Sequence, residues 1–312
     1  MAKKEELTYK SRDRETTIHA LRWIPDDKPV AILQIIHGMQ EYIDRYDEFA
    51  TFMADNGILT IGNDHLGHGA SISEKVPYGY FCKNDPATVV LRDAHRLKKM
   101  TQEEYPGIPV ILMGHSFGSF VAREYLTRYG TGIQGAIIQG TGMTSPGSLK
   151  SGRMMAAFIR GLFGDKRRSN TLNNMCFKSY LSKIPNPKTK FDWLSHNEES
   201  IQKYINDPRD NFVFTVNGFE TMFELASRVQ DTGRMDDIPK KLPILLTSGK
   251  EDPVGNYGEG VEQLYKIWTE QIGLVNVEIK LYDGMRHELQ QELDRQIVFD
   301  DELAWIKKVI NA

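Results

Sequence analysis

Short, mainly apolar runs alternate along the chain with longer stretches whose apolar residues recur every third or fourth position. The runs are VAILQIIH (30–37), ILTIGND (58–64), PVILMG (109–114), GAIIQG (135–140), PILLTSG (243–249) and VEIKLYDG (277–284). The first is followed by DRYDEFATFMADNG, where Tyr46, Phe49, Ala50 and Met53 keep helical spacing up to Gly57. A second helix is expected from Asp85 as N-cap and Pro86 in the first turn, and a third between Ser116 and Gly130. Helical patterns return near 258–272 and 294–310, and a strand pair is expected on either side of Asp13. Strands buried on both faces with helices between them predict an α/β fold built on a mostly parallel sheet flanked by helices.

Between about 142 and 225 the alternation fails. Prolines, polar connectors and short helical patterns replace it. The division expected is a discontinuous core, residues 1–141 and 226–312, with a mostly helical insertion at 142–225 over the carboxyl edge of the sheet.

Composition narrows the classes. The formal charge of −3 leaves no field to attract a polyanion, so nucleic acid is not an expected partner. Two cysteines, Cys82 and Cys176, lie outside any paired metal or redox spacing and are expected to be buried free thiols. The N-terminal stretch has acidic residues where an export signal would be apolar, and the apolar runs are too short to span a bilayer, so the expected location is cytoplasmic. No feature specifies an oligomeric state.

The chemistry begins at MGHSFGSF (113–120), a serine between two glycines, behind an apolar run and ahead of a helix. Such a turn pushes the Ser116 hydroxyl out at the carboxyl end of the strand and tolerates little bulk beside it, which Gly114 and Gly118 provide. This G-x-S-x-G nucleophile elbow, with His115 inside it, resembles that of the α/β-hydrolase superfamily, and the likeness extends over essentially the whole chain, with the insertion where that family carries its cap.

The resemblance implies the order serine, acid, histidine along the chain. It points to Asp252 in SGKEDPVG and His287 in YDGMRHEL, both in loops after late strands. Glu251 and Asp283 compete for the acid's part; Asp283 lies too near His287 along the chain to approach it from a neighbouring loop. The family's H-G motif falls on His37 and Gly38, which assigns the two oxyanion donors to the backbone N–H groups of Met39 and Phe117.

HGMQEYIDRYDEFATFMADNGILTIGNDHLGHGAS resembles the monoacylglycerol lipase and lysophospholipase branch, with Gln40 standing where the family often has glycine. The implied reaction is hydrolysis of a lipid ester through an acyl-enzyme, with no metal or organic cofactor; His37, His65 and His68 lack the companions of a metal site. The segment DHLGHGAS reads as a structural turn. A carboxylesterase for smaller esters, an aminopeptidase and a non-catalytic ligand binder are the alternatives. The aminopeptidase is disfavoured because the insertion shows no acidic cluster to hold an amino group.

One insertion helix, KSGRMMAAFIRGLFGDKRR, carries Met154, Met155, Phe158, Ile159, Leu162 and Phe163 on one face, amid Lys150, Arg153, Arg160, Lys166, Arg167 and Arg168. That face is expected to cover the active site. The same pattern also suits peripheral contact with anionic lipid surfaces.

Overall fold

The mainly apolar runs become the middle of a sheet, where both faces are covered. The computed structural model describes residues 2–311. Its strands β1 (Lys3–Lys10), β2 (Thr17–Ile24), β3 (Ala31–Ile36), β4 (Ile58–Asn63), β5 (Val110–His115), β6 (Gly135–Gln139), β7 (Ile244–Gly249) and β8 (Val277–Tyr282) form one sheet. The order is β1-β2-β4-β3-β5-β6-β7-β8, with β2 antiparallel to both neighbours and the pairs from β4 to β8 parallel. From β3 to β7 every strand residue is buried, whereas the edge strand β8 alternates buried and exposed positions.

The helices are α1 (Asp47–Asp55), α2 (Pro86–Glu104), α3 (Phe117–Tyr129), α4 (Pro146–Phe163), α5 (Asn170–Phe177), α6 (Glu198–Asn206), α7 (Val216–Arg228), α8 (Thr232–Met235), α9 (Glu259–Lys266) and α10 (Arg295–Ile310). The period of two along β3 sorts its side chains between two cores. Ile32 and Ile36 join Leu97, Val121, Tyr125 and Trp268 from α2, α3 and the turns after α9. Ala31, Leu33 and Ile35 join Phe49, Met53, Phe299 and Trp305 from α1 and α10. Burying each large side chain in these layers contributes about 1.5–3 kcal/mol before entropy is counted.

Between β6 and β7 the chain makes α4 to α8 and no strand among the described residues. α7 packs on α2 and α3, and α4 packs on α7.

Three expectations need correction. Asp85 does not cap α2 with its side chain: it takes φ 44° and ψ 55° and turns its carboxylate to Arg228, while its backbone oxygen accepts from Thr88 and Val89. Cys82 is buried, but Cys176 is only half-buried and borders a cavity. The marked apolar face of α4 does not cover the active site. Met154, Met155, Phe158, Leu162 and Phe163 are 39–64% exposed, and only Ile159 packs against the core. α4 turns Leu149, Gly152 and Ala156 inward instead, because small residues let it approach Phe223 of α7 closely; a Cβ on Gly152 would lie 2.8 Å from that ring.

Candidate active site

The sharp turn after β5 is what the sequence pattern requires. Ser116 takes φ 55° and ψ −121°, a strained conformation for a residue with a side chain. Its backbone N–H donates to the Gln139 carbonyl and its carbonyl accepts from Ser119. The glycines make room: a Cβ on Gly114 would lie 2.4 Å from the Gly118 carbonyl oxygen, and one on Gly118 would lie 2.0 Å from that of Ile36. α3 therefore starts against the end of β3, whose following loop carries His37, Gly38 and Met39.

That loop is held by a residue to which the sequence reading gave no part. Glu41 is fully buried, and its Oε1 accepts from the Gly38 N–H, from Tyr46 Oη at 3.0 Å and from His115 Nδ1 at 3.0 Å. His115 Nε2 lies 3.2 Å from the carbonyl oxygen of His287. Both ring nitrogens thus face acceptors, so the ring donates twice and is an imidazolium. Glu41, largely through this ring's hydrogen bond, is held below the usual carboxylate range against the cost of its burial, and His115 is raised by the same bond. The E of HGMQE was the available signal, since an acceptor side chain three residues after Gly38 can reach back to the Gly38 N–H.

Arg45 continues the network. It forms a two-pronged pair with Glu288 at 2.6 and 2.8 Å and lies 3.4 Å from Glu41 and 3.6 Å from Asp210. Gln40, at the position where glycine is often found, takes φ 59°, a region glycine enters without strain, and its side chain donates to the Phe212 carbonyl.

Asp252 follows β7 and His287 follows β8. Asp252 is fully buried; its Oδ2 meets His287 Nδ1 at 2.9 Å and Ser248 Oγ at 3.2 Å, and its Oδ1 accepts from Val254 N–H at 2.8 Å. Glu251 turns away to His196 at 2.9 Å, and Asp283 pairs with Lys250 at the surface. The His287 ring is packed by Trp193 and His115, with centroids 5.1 and 4.8 Å away.

The three histidines of the early loops are occupied with one another. His37 Nε2 accepts from the His65 N–H at 3.0 Å, and His65 Nε2 lies 3.0 Å from the His37 carbonyl. Burial lowers all three, His65 to about 4 and His68 to about 3, so their rings are neutral. Asp64 ties the DHLGHGAS turn to Ile43 N–H, Ala70 N–H and His19.

Ser116, Phe117, Met39 and His287 border one cavity of about 660 Å³. Its lining includes the polar Gln40, Glu41, His115 and Glu288, a second polar set of Thr144, Ser145, Ser148 and Ser151, and the apolar Phe120, Leu149, Phe177, Trp193, Met222 and Phe223. The lining residues between β6 and β7 include no carboxylate. None of the six marked residues on the other face of α4 borders the cavity.

Residues 27–294 match the model of a family described as serine aminopeptidase, S33. A monoglyceride lipase homolog of monkeypox virus is 27% identical over 93% of this chain and 94% of its own. Human monoglyceride lipase is 27% identical over 92% of this chain and 85% of its own. The crystal structure of a thermostable carboxyl esterase from Bacillus coagulans, in complex with glycerol, superposes with a TM-score of 0.91 at 28% identity, covering 99% of both chains.

Proposed function

The chain belongs to the serine aminopeptidase S33 family, has the α/β-hydrolase fold and is a carboxylic ester hydrolase; from that premise we propose that it cleaves lipid esters, monoacylglycerols or lysophospholipids, through an acyl-enzyme on Ser116. The observation that carries this reading is the cavity itself: Ser116 and His287 lie on its wall, and most of the rest of that wall is apolar. An acyl chain suits such walls, and the polar lining residues suit the hydroxyls of a headgroup.

Ser116 Oγ attacks the ester carbonyl while His287 takes its proton. Asp252, bonded to Nδ1, fixes the ring so that Nε2 serves as base and stabilises the imidazolium that forms. The Met39 and Phe117 N–H groups receive the negative charge on the carbonyl oxygen. Because Glu41 occupies the Gly38 N–H, the donor this loop offers is the next one, on Met39. His287 then delivers its proton to the leaving alcohol, and water, activated by the same ring, releases the fatty acid.

An aminopeptidase reading is disfavoured. The insertion offers no carboxylate to the cavity, and the acids in its lining, Glu41 and Glu288, are already paired with His115 and Arg45. In this proposal residues 142–225 are the cap and 1–141 with 226–312 the catalytic core. The exposed apolar face of α4, amid Lys166, Arg167 and Arg168, is the part that touches anionic lipid surfaces, peripherally and reversibly.

The test is hydrolysis of monoacylglycerols and simple esters of increasing acyl length, with Ser116→Ala in parallel. A serine-dependent rise towards long-chain monoacylglycerol is the expected result. A serine-dependent maximum at short chains would make the protein a carboxylesterase for small esters, and a serine that no fluorophosphonate labels would make it a binder. Flotation with anionic and neutral vesicles checks the lipid contact, and equal, negligible binding to both would remove it.

A further inference from the structure

Arg123 lies on α3, about two helical turns beyond Ser116. It is 1% exposed, and among the described residues no carboxylate pairs with it. Its guanidinium donates instead to neutral groups: Thr141 Oγ1 at 3.2 Å, the Gly142 carbonyl at 3.1 Å and the Val229 carbonyl at 2.8 Å, with Met143 Sδ 3.6 Å away. The rings of Phe120 and Trp268 lie 5.9 Å from it. Burial lowers its pKa to about 9, still charged at neutral pH.

A buried charge without a counter-charge is costly, and an apolar side chain of similar volume would avoid the cost. What such a side chain could not supply is a planar fork that reaches several acceptors at once. The acceptors have a common location. Thr141 and Gly142 are where the chain leaves β6 for the segment between β6 and β7, and Val229 is where α7 ends and the chain turns back. The Val229 carbonyl is one of the groups a helix leaves unsatisfied at its carboxyl end, where a cation is favoured.

The two crossings are also joined to each other. Gln230 Oε1 accepts from the Thr144 N–H at 2.6 Å, and its Nε2 donates to the Thr144 carbonyl at 3.0 Å. Phe120, one turn before Arg123 on α3, borders the cavity together with Gly142 and Thr144. One side chain therefore ties the nucleophile's own helix to the start of the segment between β6 and β7 and to the end of α7, between which lie Leu149, Phe177, Trp193, Met222 and Phe223.

We propose that Arg123 is a positioning residue for acyl-chain selectivity: by pinning both crossings to α3, it holds the apolar walls in register with Ser116. This rests on the ester-hydrolase reading. A short acyl group needs only the elbow, the donors and the histidine; a long one also needs the walls in place.

Arg123→Met, Arg123→Lys and Gln230→Ala are compared with wild type on p-nitrophenyl acetate and on monooleoylglycerol, with fluorophosphonate labelling as the check that the elbow is intact. Arg123→Met is expected to keep acetate turnover and labelling within about twofold while kcat/KM for monooleoylglycerol falls about tenfold or more, chiefly through KM. Arg123→Lys should fail in the same way, because charge without the fork cannot span both crossings. Gln230→Ala should shift the ratio of the two substrates in the same direction by a smaller factor. Equal losses on both substrates, or a lower Tm with an unchanged ratio, would overturn the proposal. If the Arg123 variants do not fold, an unchanged ratio in Gln230→Ala overturns it. A wild type that turns over neither ester and resists labelling would instead sink the underlying reading.

Discussion

The carboxyl edge of the sheet and the segment between β6 and β7 border the same cavity but are built on opposite principles. At the edge, groups near Ser116 are held by polar partners: Asp252 by Ser248, Val254 and His287, and Gly38 and His115 by the buried Glu41. In α4, five large apolar residues face solvent, and Arg153 and Arg160 pair with Glu224 and Glu220 at the surface, where such pairs contribute little. The lesson is that buried polar partners are concentrated around the residues proposed for the chemistry. The far wall is tied to that machinery at a few places, so substitutions in the two regions should fail differently.

The largest contrast lies at Ser116, His287 and Asp252, the residues of the proposed acyl-enzyme chemistry. Ser116→Ala or His287→Ala should lower turnover of a soluble ester by about 10⁴- to 10⁶-fold while leaving Tm nearly unchanged. Asp252→Asn should cost less, about 10³- to 10⁴-fold, because the histidine loses its orienting acceptor yet keeps its place. Steady-state rates settle both, and near-normal turnover in Asp252→Asn would move the acid's part to another residue.

Next comes the network that the sequence reading passed over. Glu41→Gln should lower kcat on a soluble ester by about ten- to a hundredfold with little change in KM, since one oxyanion donor is misplaced and the substrate walls are not. The pH dependence has two limbs. Glu41 is lowered below 4.5, so its contribution to stability is complete above pH 4.5 and is lost as pH falls through its folded-state value. His115 is raised above 6.5, so its contribution is complete below pH 6.5 and is lost as pH rises through the folded-state value. Urea titrations from pH 2 to 9 should show both limbs in wild type and a flatter profile in Glu41→Gln; identical profiles would mean that the pair is not ionised as described.

How legible each part was follows from the range of the interactions that decide it. β3 to β7 were visible because burial on both faces leaves a mainly apolar run, and Ser116 because its turn demands glycine within two residues on either side. His287 and Asp252 came through the family's chain order, and the structure brings those two together at 2.9 Å. Glu41 was quoted and left without a part, because its partners His115 and Arg45 acquire meaning only when the loops after β3, β5 and β8 meet. The inward edge of α4 was missed for a related reason. Periodicity marks large residues, whereas that edge depends on Gly152 and Ala156, whose smallness matters only against Phe223.

The smallest effect sharpens the comparison most. Phe158 and Phe163 are 63% and 64% exposed, whereas Phe223, in the same segment, is 5% exposed. Phe223→Ala removes a buried ring between α4 and α7 and should cost about 3–5 kcal/mol in urea unfolding. Phe158→Ser and Phe163→Ser remove rings that water already touches, so stability should stay within about 0.5 kcal/mol. Turnover of a soluble short ester should not change in either exposed variant. If the exposed face of α4 meets lipid, the same two substitutions should weaken flotation with anionic vesicles, because apolar area entering the interface supplies part of the binding energy. A variant that keeps full vesicle binding would show that the face plays no part in it, whereas a large loss of stability would show that the rings pack in solution against something other than water.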